Sequence, residues 1–150
     1  MAKGFGGFGI EIEGMGELIK AMELFPEKLY KRSFKRALKF AITPVTKAAK
    51  RKAPKKSGRL KKALTYKVRA GKAGNVPYGS AAVGAVNKDD MSGRHAHLLE
   101  LGFNHKSGKR VSAQPFLRPA IDEKGEEAIN RLNDKMAEIL HKEANSLGWL

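Results

Sequence analysis

The sequence contains no cysteine, which excludes disulfides, thiolate metal ligands and a cysteine nucleophile. It also lacks an apolar run long enough to span a bilayer, and its N-terminus lacks a signal-peptide core. We therefore expect a soluble protein, made in the cytoplasm, with no membrane partner. Its 150 residues are predicted to form a single domain, with residues 1–9 as a flexible glycine-rich end and residues 148–150 as a short tail.

Acidic residues are missing from a long central block of the chain. Residues 28–88 hold 19 of the 30 basic residues and none of the 15 acidic ones, and the formal net charge is +15. Such a block indicates a polyanionic neighbour, which could be nucleic acid, an anionic membrane or an acidic protein surface, although a solvated helix face has the same composition. Its densest part supplies the candidate residues for facing DNA or an acidic partner: Lys50, Arg51, Lys52, Lys55, Lys56, Arg59, Lys61 and Lys62.

The first half of this block has the periodicity of an amphipathic helix. Apolar residues recur at three- and four-residue steps and predict a helix over residues 26–52, with Pro26 in its first turn. Pro44 either kinks this helix or begins a second helix capped by Thr43. The apolar stripe keeps its phase across the proline, which favours one kinked helix that ends before Pro54.

A hairpin is predicted after the helix. Alternating apolar and polar residues indicate a strand over residues 64–69 with a basic outer face, and residues 82–86 read as its pairing partner. Residues 71–79 are predicted to form the loop between them. Residues 95–101 fit either a strand or a helical turn, and residues 103–112 are predicted to form a basic loop.

Shorter patterns complete the prediction at the two ends of the chain. Residues 8–13 alternate like a short strand, and residues 18–25 fit a short helix. A last amphipathic helix is predicted to bury Ile129, Leu132, Met136, Ile139, Leu140 and Leu147. We therefore expect an α+β fold, in which a small, mostly antiparallel sheet packs against a long basic N-terminal helix and a C-terminal amphipathic helix.

Catalytic and metal-binding patterns are weak throughout. Neither a strand nor a helix would gather three ligands from the cluster His95, His97, Glu100 and His105, so no metal site is predicted. Asp89-Asp90 is typical of a polar turn, and the glycines of residues 4–9 precede a strand rather than follow one, unlike a dinucleotide-binding motif. We expect no catalytic residues, no cofactor and no enzyme activity.

Several segments have physical roles that do not depend on catalysis. Pro54 is predicted to stop the long helix, Gly58 to permit a turn, and Leu60 to anchor that turn to the core. Later, Pro115 and Pro119 are predicted to fix an extended approach to the last helix, with Phe116 and Leu117 as a hydrophobic plug and Arg118 paired with a carboxylate such as Glu100.

The order of these motifs resembles a known family. Before the terminal helix, five segments follow one another in this order: Ala53-Pro54, Ser57-Gly58-Arg59-Leu60, Val83-Gly84, the run from His97 through Glu100 to Gly102, and Gln114-Pro115-Phe116-Leu117-Arg118-Pro119-Ala120. This order is similar to that of the tail-completion, head–tail joining or neck proteins of long-tailed bacteriophages, typified by the minor tail component of lambda-like phages. The resemblance covers about residues 15–145. The sequence departs from the family pattern at Leu101 and Phe103, where members often carry Phe and Thr.

The resemblance implies a structural protein of the virion neck that is assembled in the host cytoplasm. It implies a homo-oligomeric, hexameric ring between the head connector and the tail tube or tail terminator, with DNA crossing the channel through weak, non-specific contacts. The motif residues would then hold the fold: Pro54, Gly58, Leu60, Glu100, Gly102, Pro115, Phe116, Arg118 and Pro119. Whether the basic residues face DNA or an acidic protein is left open.

The alternative is a free-standing basic nucleic-acid-binding protein. Such a protein would interleave its basic residues with stacking aromatics, whereas Phe34, Phe40 and Tyr66 are predicted to lie in or near the core. The pattern therefore favours the neck protein.

Overall fold

The computed structural model describes residues 20, 22–55, 58–73, 76–85 and 96–148. The predictions for residues 1–13, Lys56, Ser57, Asp89-Asp90 and His95 lie outside these ranges, as do residues 149–150 of the predicted tail. The described part consists of α1 (Glu27–Lys52), α2 (Arg59–Ala63), β1 (Leu64–Ala73), β2 (Val76–Ala85), α3 (Ala96–Leu101), β3 (Phe103–Asn104), β4 (Arg110–Val111) and α4 (Leu117–Ser146). The predicted α+β class, with a long N-terminal helix, an antiparallel sheet and a C-terminal helix, is confirmed, and helix predominates.

Helix α1 runs without interruption through Pro44. The proline has no N–H to offer the carbonyl one turn earlier. On either side of it, the Thr43 hydroxyl donates to the Lys39 carbonyl at 2.8 Å and the Thr46 hydroxyl donates to the Ile42 carbonyl at 2.9 Å. The single helix is confirmed, and the alternative of a second helix capped by Thr43 is wrong. The kink at Pro44 stays a prediction. Pro26 is the residue before the first helical position rather than part of the first turn.

The main core lies between α1 and α4. Its buried members are Met22, Phe25, Tyr30, Phe34, Ala37, Leu38, Ala41, Leu132, Met136 and Ile139. Burying each large apolar side chain contributes roughly 1.5–3 kcal/mol, so this seam is the largest apolar contribution to the fold. Two predictions of buried positions are wrong: Phe40 is 46% exposed and Leu147 is 44% exposed. Arg131 and Lys135 of α4 lie 5.2 and 5.7 Å from the Phe40 ring centre, within cation–π range.

Strands β1 and β2 form an antiparallel hairpin whose inner face packs on this core through Val68, Ala70 and Ala81. The prediction of a loop over residues 71–79 is wrong, because β1 continues to Ala73 and β2 begins at Val76. The Tyr30 hydroxyl of α1 donates to the Tyr78 carbonyl at 2.9 Å. Burial, with a smaller contribution from the Tyr78 charge, raises the pKa of Tyr30 to about 12.

Two glycines let this hairpin approach aromatic rings. A β-carbon at position 79 would lie 2.0 Å from a ring carbon of the buried Phe34, and one at position 71 would lie 2.8 Å from the Tyr78 hydroxyl oxygen. Neither glycine has a positive φ, so the absence of a side chain, rather than backbone freedom, is what these positions require.

Short elements fill the segments where the sequence pattern was ambiguous. Residues 96–101 form helix α3, which settles the choice between strand and helical turn for the described residues. The predicted basic loop over residues 103–112 is interrupted by a small hairpin, in which Phe103 pairs with Val111 and Asn104 pairs with Arg110. Helix α2 was not predicted at all.

Candidate interaction surface

The joint between α1 and the hairpin is built from three residues of the motif. Ala53 is extended (φ −60°, ψ 138°), because the proline that follows disfavours helical geometry in the preceding residue, and its N–H closes α1 on the Ala49 carbonyl at 2.9 Å. Gly58 has φ +67° and precedes α2. Leu60, on α2, is buried with Leu64, Ala96 and Phe116 in a second apolar cluster. The turn is therefore fixed to the core.

Glu100 holds the start of the C-terminal helix. Its carboxylate accepts the backbone N–H groups of Phe116, Leu117 and Arg118 at 2.7, 2.9 and 3.0 Å. The first four N–H positions of a helix have no partner inside the helix, and here the fourth belongs to Pro119, which has no N–H. The Glu100 carboxylate therefore satisfies every first-turn donor of α4.

This geometry adds one detail to the prediction and changes another. The contact that the structure shows between Glu100 and Arg118 is made by the Arg118 backbone N–H. Pro119 lies inside the first turn of α4, so the prediction that it extends the approach to the helix is wrong. Phe116 is fully buried, as a hydrophobic plug would be.

Gly102 makes the turn that brings Glu100 to the helix. It has φ +74°, and a β-carbon there would lie 2.9 Å from both the Ala113 nitrogen and the Val111 oxygen. The Gln114 N–H donates to the Leu99 carbonyl at 2.7 Å across the same turn. A glycine is therefore required at position 102 both by backbone conformation and by space.

The basic residues selected from the sequence divide into two groups. Arg51 forms an ion pair with Glu123 of α4, and the Lys52 ammonium lies 2.8 Å from the same carboxylate. Hydrogen bonds from Lys52 and then Arg51 hold the pKa of Glu123 below its usual range. These two cations therefore already connect the end of α1 to α4. Lys55, Arg59, Lys61 and Lys62 are exposed, as Arg51 and Lys52 are, but they form no ion pair within the described residues. Lys50 is half-buried.

Helix α1 also carries exposed cations that were not among the candidates selected from the sequence. Lys28, Arg32, Lys35 and Lys39 are exposed along one side of α1, and we call them the α1 ridge. Their 4-3-4 spacing places them on a single helical face, and that spacing was the signal available in the sequence. Further basic side chains, Lys67 and Arg69, are exposed on the outer face of β1, opposite Ala82 and Ser80.

The described residues contain no group of three His, Cys, Asp or Glu side chains arranged to hold a metal ion. Of the histidines considered as ligands, His97 and His105 are both exposed, and the His105 Nδ1 lies 2.9 Å from the Ser107 hydroxyl. An open depression of about 270 Å³ lies between α3 and the β3–β4 hairpin, beside Leu101, which is 77% exposed. Among these same residues, no helix is long and apolar enough to cross a membrane.

Comparison with known families shows what the chain is similar to. A family described as "Bacteriophage HK97-gp10, putative tail-component" matches residues 16–102, which is more than half of the chain. The chain belongs to the HK97-gp10-like family. The protein is thus a phage tail component, of a structural class that works by contact with other phage proteins, typically without catalysis.

The match includes α1, α2, the β1–β2 hairpin and α3, and it ends at Gly102, the residue that turns the chain toward α4. Among curated proteins and among solved structures, no significant match to the chain was found.

Proposed function

We propose that this HK97-gp10-like protein is a ring-forming tail-completion or head–tail joining subunit of the phage neck. The ring, a hexamer, would link the head connector to the tail tube and let DNA pass through its channel. The observation that carries the proposal is the family match over residues 16–102, which contains the whole acid-free block of residues 28–88. The full chain of residues 1–150 acts in this proposal as one domain and belongs to the virion.

The mechanism is assembly. Head-to-tail contacts between identical subunits close into a ring when the rotation between neighbours divides a full turn. Rigid elements suit such a subunit, because little conformational entropy is then lost on docking. The motif residues Pro54, Gly58, Leu60, Glu100, Gly102, Pro115, Phe116, Arg118 and Pro119 would serve this purpose by fixing the joint and the start of α4.

The exposed cations of the joint would steer docking or contact DNA. Within the proposed set Lys50, Arg51, Lys52, Lys55, Lys56, Arg59, Lys61 and Lys62, the charges of Arg51 and Lys52 are already balanced in part by Glu123. Exposed residues of the set outside this ion-paired group, such as Lys55, Arg59, Lys61 and Lys62, would therefore be the ones available for such contacts.

The test is assembly with neck partners. The purified chain should form a discrete closed oligomer by native mass spectrometry and a ring by electron microscopy, alone or with the connector and tail-tube proteins of the same phage. Mass spectrometry of purified virions should detect the chain in the particle. A strictly monomeric chain that ignores both partners yet binds DNA tightly at physiological salt would overturn the proposal in favour of a free-standing nucleic-acid-binding protein.

A further inference from the structure

The α1 ridge forms a straight row of positive charge on the surface of the protein. Lys28, Arg32, Lys35 and Lys39 are all exposed, and at 100° per residue they fall within about 60° of one another around the helix axis. At 1.5 Å per residue the row is roughly 16 Å long. It is thus a linear array of cations rather than a scattered set.

The described structure places no carboxylate in an ion pair with this row. Within α1 the single acidic residue, Glu27, forms an ion pair with Lys31, which borders the row but is not one of its four members. On α4, a hydrogen bond from Lys135 lowers the pKa of Glu138, with smaller effects from Lys142 and, across the seam, from Arg36 of α1. Because Arg36 interacts with this carboxylate, it is not counted in the ridge. The four ridge charges therefore repel one another along the helix.

The composition of the ridge distinguishes between classes of partner. Protein–protein interfaces place aromatic, Met and Arg side chains at an apolar centre and are depleted in Lys. Three of the four ridge residues are Lys, and the nearest exposed aromatic side chain on α1, Phe40, lies instead against Arg131 and Lys135 of α4. A Lys-rich linear array without an apolar centre is typical of contacts to phosphates.

We propose that the α1 ridge is a non-specific contact site for the phosphate backbone of duplex DNA. The choice of duplex DNA rests on the proposed function, in which DNA crosses the ring. Four point charges with no base-reading group would hold DNA weakly and let it slide, because the affinity depends on counterion release rather than on sequence. This assignment moves the principal DNA contact from the joint to the exposed face of α1.

The experiment compares two variants of equal net charge. The ridge variant carries Lys28→Gln, Arg32→Gln, Lys35→Gln and Lys39→Gln, since Gln keeps a good helix propensity. The matched control carries Lys106→Gln, Lys109→Gln, Arg110→Gln and Lys142→Gln, all at exposed positions on β4, α4 and the turn between β3 and β4. Binding of the full chain to a short duplex of mixed sequence is measured by fluorescence anisotropy between 50 and 200 mM salt.

For the wild type, four phosphate contacts would contribute about −3.6 to the slope of log affinity against log salt concentration, so the affinity falls as salt is added. This corresponds to a loss on the order of 100-fold over that salt range. The ridge variant should lose most of this dependence while the control keeps it. Circular dichroism should show the same helix content in all three proteins.

Equal losses in the two variants would overturn the proposal, because net charge alone would then explain the binding. Unchanged binding by the ridge variant would overturn it as well. Tighter binding of the wild type to polyglutamate than to duplex DNA would assign the ridge to an acidic protein instead. None of these results depends on whether native mass spectrometry finds a ring, so failure of the ridge assignment is distinguishable from failure of the neck proposal.

Discussion

Glu100 shows how a single side chain can explain a sequence motif. The motif consists of a glutamate, a glycine two residues later and a Pro-Phe-Leu-Arg-Pro segment. In the sequence alone, its main use was to indicate the family. In the structure the glutamate accepts three N–H groups, Gly102 makes the turn that positions it, and Pro119 removes the fourth donor. The spacing of the motif therefore follows from the donors at the start of one helix.

Replacing Glu100 by alanine should destabilise the protein by roughly 2 kcal/mol, because three helix donors would lose a charged acceptor and only part of the loss can be restored by water. Glu100→Gln should cost less, since its carbonyl oxygen can still accept some of these bonds. Urea unfolding followed by circular dichroism measures both changes.

Glu126→Ala is the matched control for this prediction. Glu126 is exposed on α4, the helix whose first donors Glu100 of α3 satisfies, so its removal should change the free energy of unfolding by no more than about 0.5 kcal/mol. If Glu100→Ala were no more destabilising than Glu126→Ala, the three hydrogen bonds would contribute nothing measurable to stability, contrary to our account.

The hairpin offers a second comparison, between two glycines that face different kinds of ring. Gly79→Ala should destabilise the fold by roughly 1–3 kcal/mol, because Phe34 is buried, stacks near Tyr30 with ring centres 5.6 Å apart, and has no room to move. Gly71→Ala should have little effect, since the clashing atom is the outer end of Tyr78, a side chain that is 51% exposed and can turn away. Thermal and urea unfolding of both variants give the comparison, and equal losses would contradict it.

These glycines also explain why part of the hairpin was not predictable. In the sequence, Gly71 and Gly79 are typical of turns, and a loop is predicted between them. Their actual role is to leave space for the Tyr78 and Phe34 rings, which lie close to them only in the folded chain. The contact between Gly79 and Phe34 joins residues distant in sequence and leaves no local signal, whereas the inner-face alternation around Val68 was enough to predict strand β1.

Element length accounts for most of the remaining differences. Helix α1 has 26 residues, and its apolar stripe, which continues on both sides of Pro44, was a stronger signal than the proline. Helix α2 has 5 residues, and strands β3 and β4 have 2 each, so none of them is long enough to establish a period. The prediction that Phe40 lies in or near the core was wrong for a different reason. Phe40 lies beside the apolar stripe, and its ring contacts cations of α4 that the sequence pattern of α1 does not reveal.

In the whole molecule, the charges are divided between elements that pack together. Helix α1 and strand β1 carry exposed cations, while α4 contributes Glu123, the carboxylate that binds Arg51 and Lys52 at the end of α1. The seam between the helices is therefore joined by apolar burial and closed at one end by ion pairs. Most of the positive charge remains on the surface, where it would be available to a polyanion.

This distribution predicts that added salt stabilises the protein. Salt screens the exposed ion pairs, but such pairs contribute only about 0–1 kcal/mol each. It also screens the self-repulsion of a chain with a formal net charge of +15, and we expect this second effect to dominate. The melting temperature should therefore rise between low and physiological ionic strength.

The ridge variant described above isolates the part of this effect that belongs to α1. Lys28–Arg32, Arg32–Lys35 and Lys35–Lys39 are like-charged neighbours on one helix face, and together they should cost roughly 1 kcal/mol at low salt. Removing them should raise the low-salt melting temperature by about 2–4 °C and weaken the salt response. The variant with four substitutions on other elements has the same net charge but keeps these like-charged pairs, so both of its changes should be smaller. Melting followed by circular dichroism across a salt series measures all three proteins. A melting temperature that falls with salt would show that the ion pairs, and not the repulsion along α1, control the electrostatic stability of the free chain.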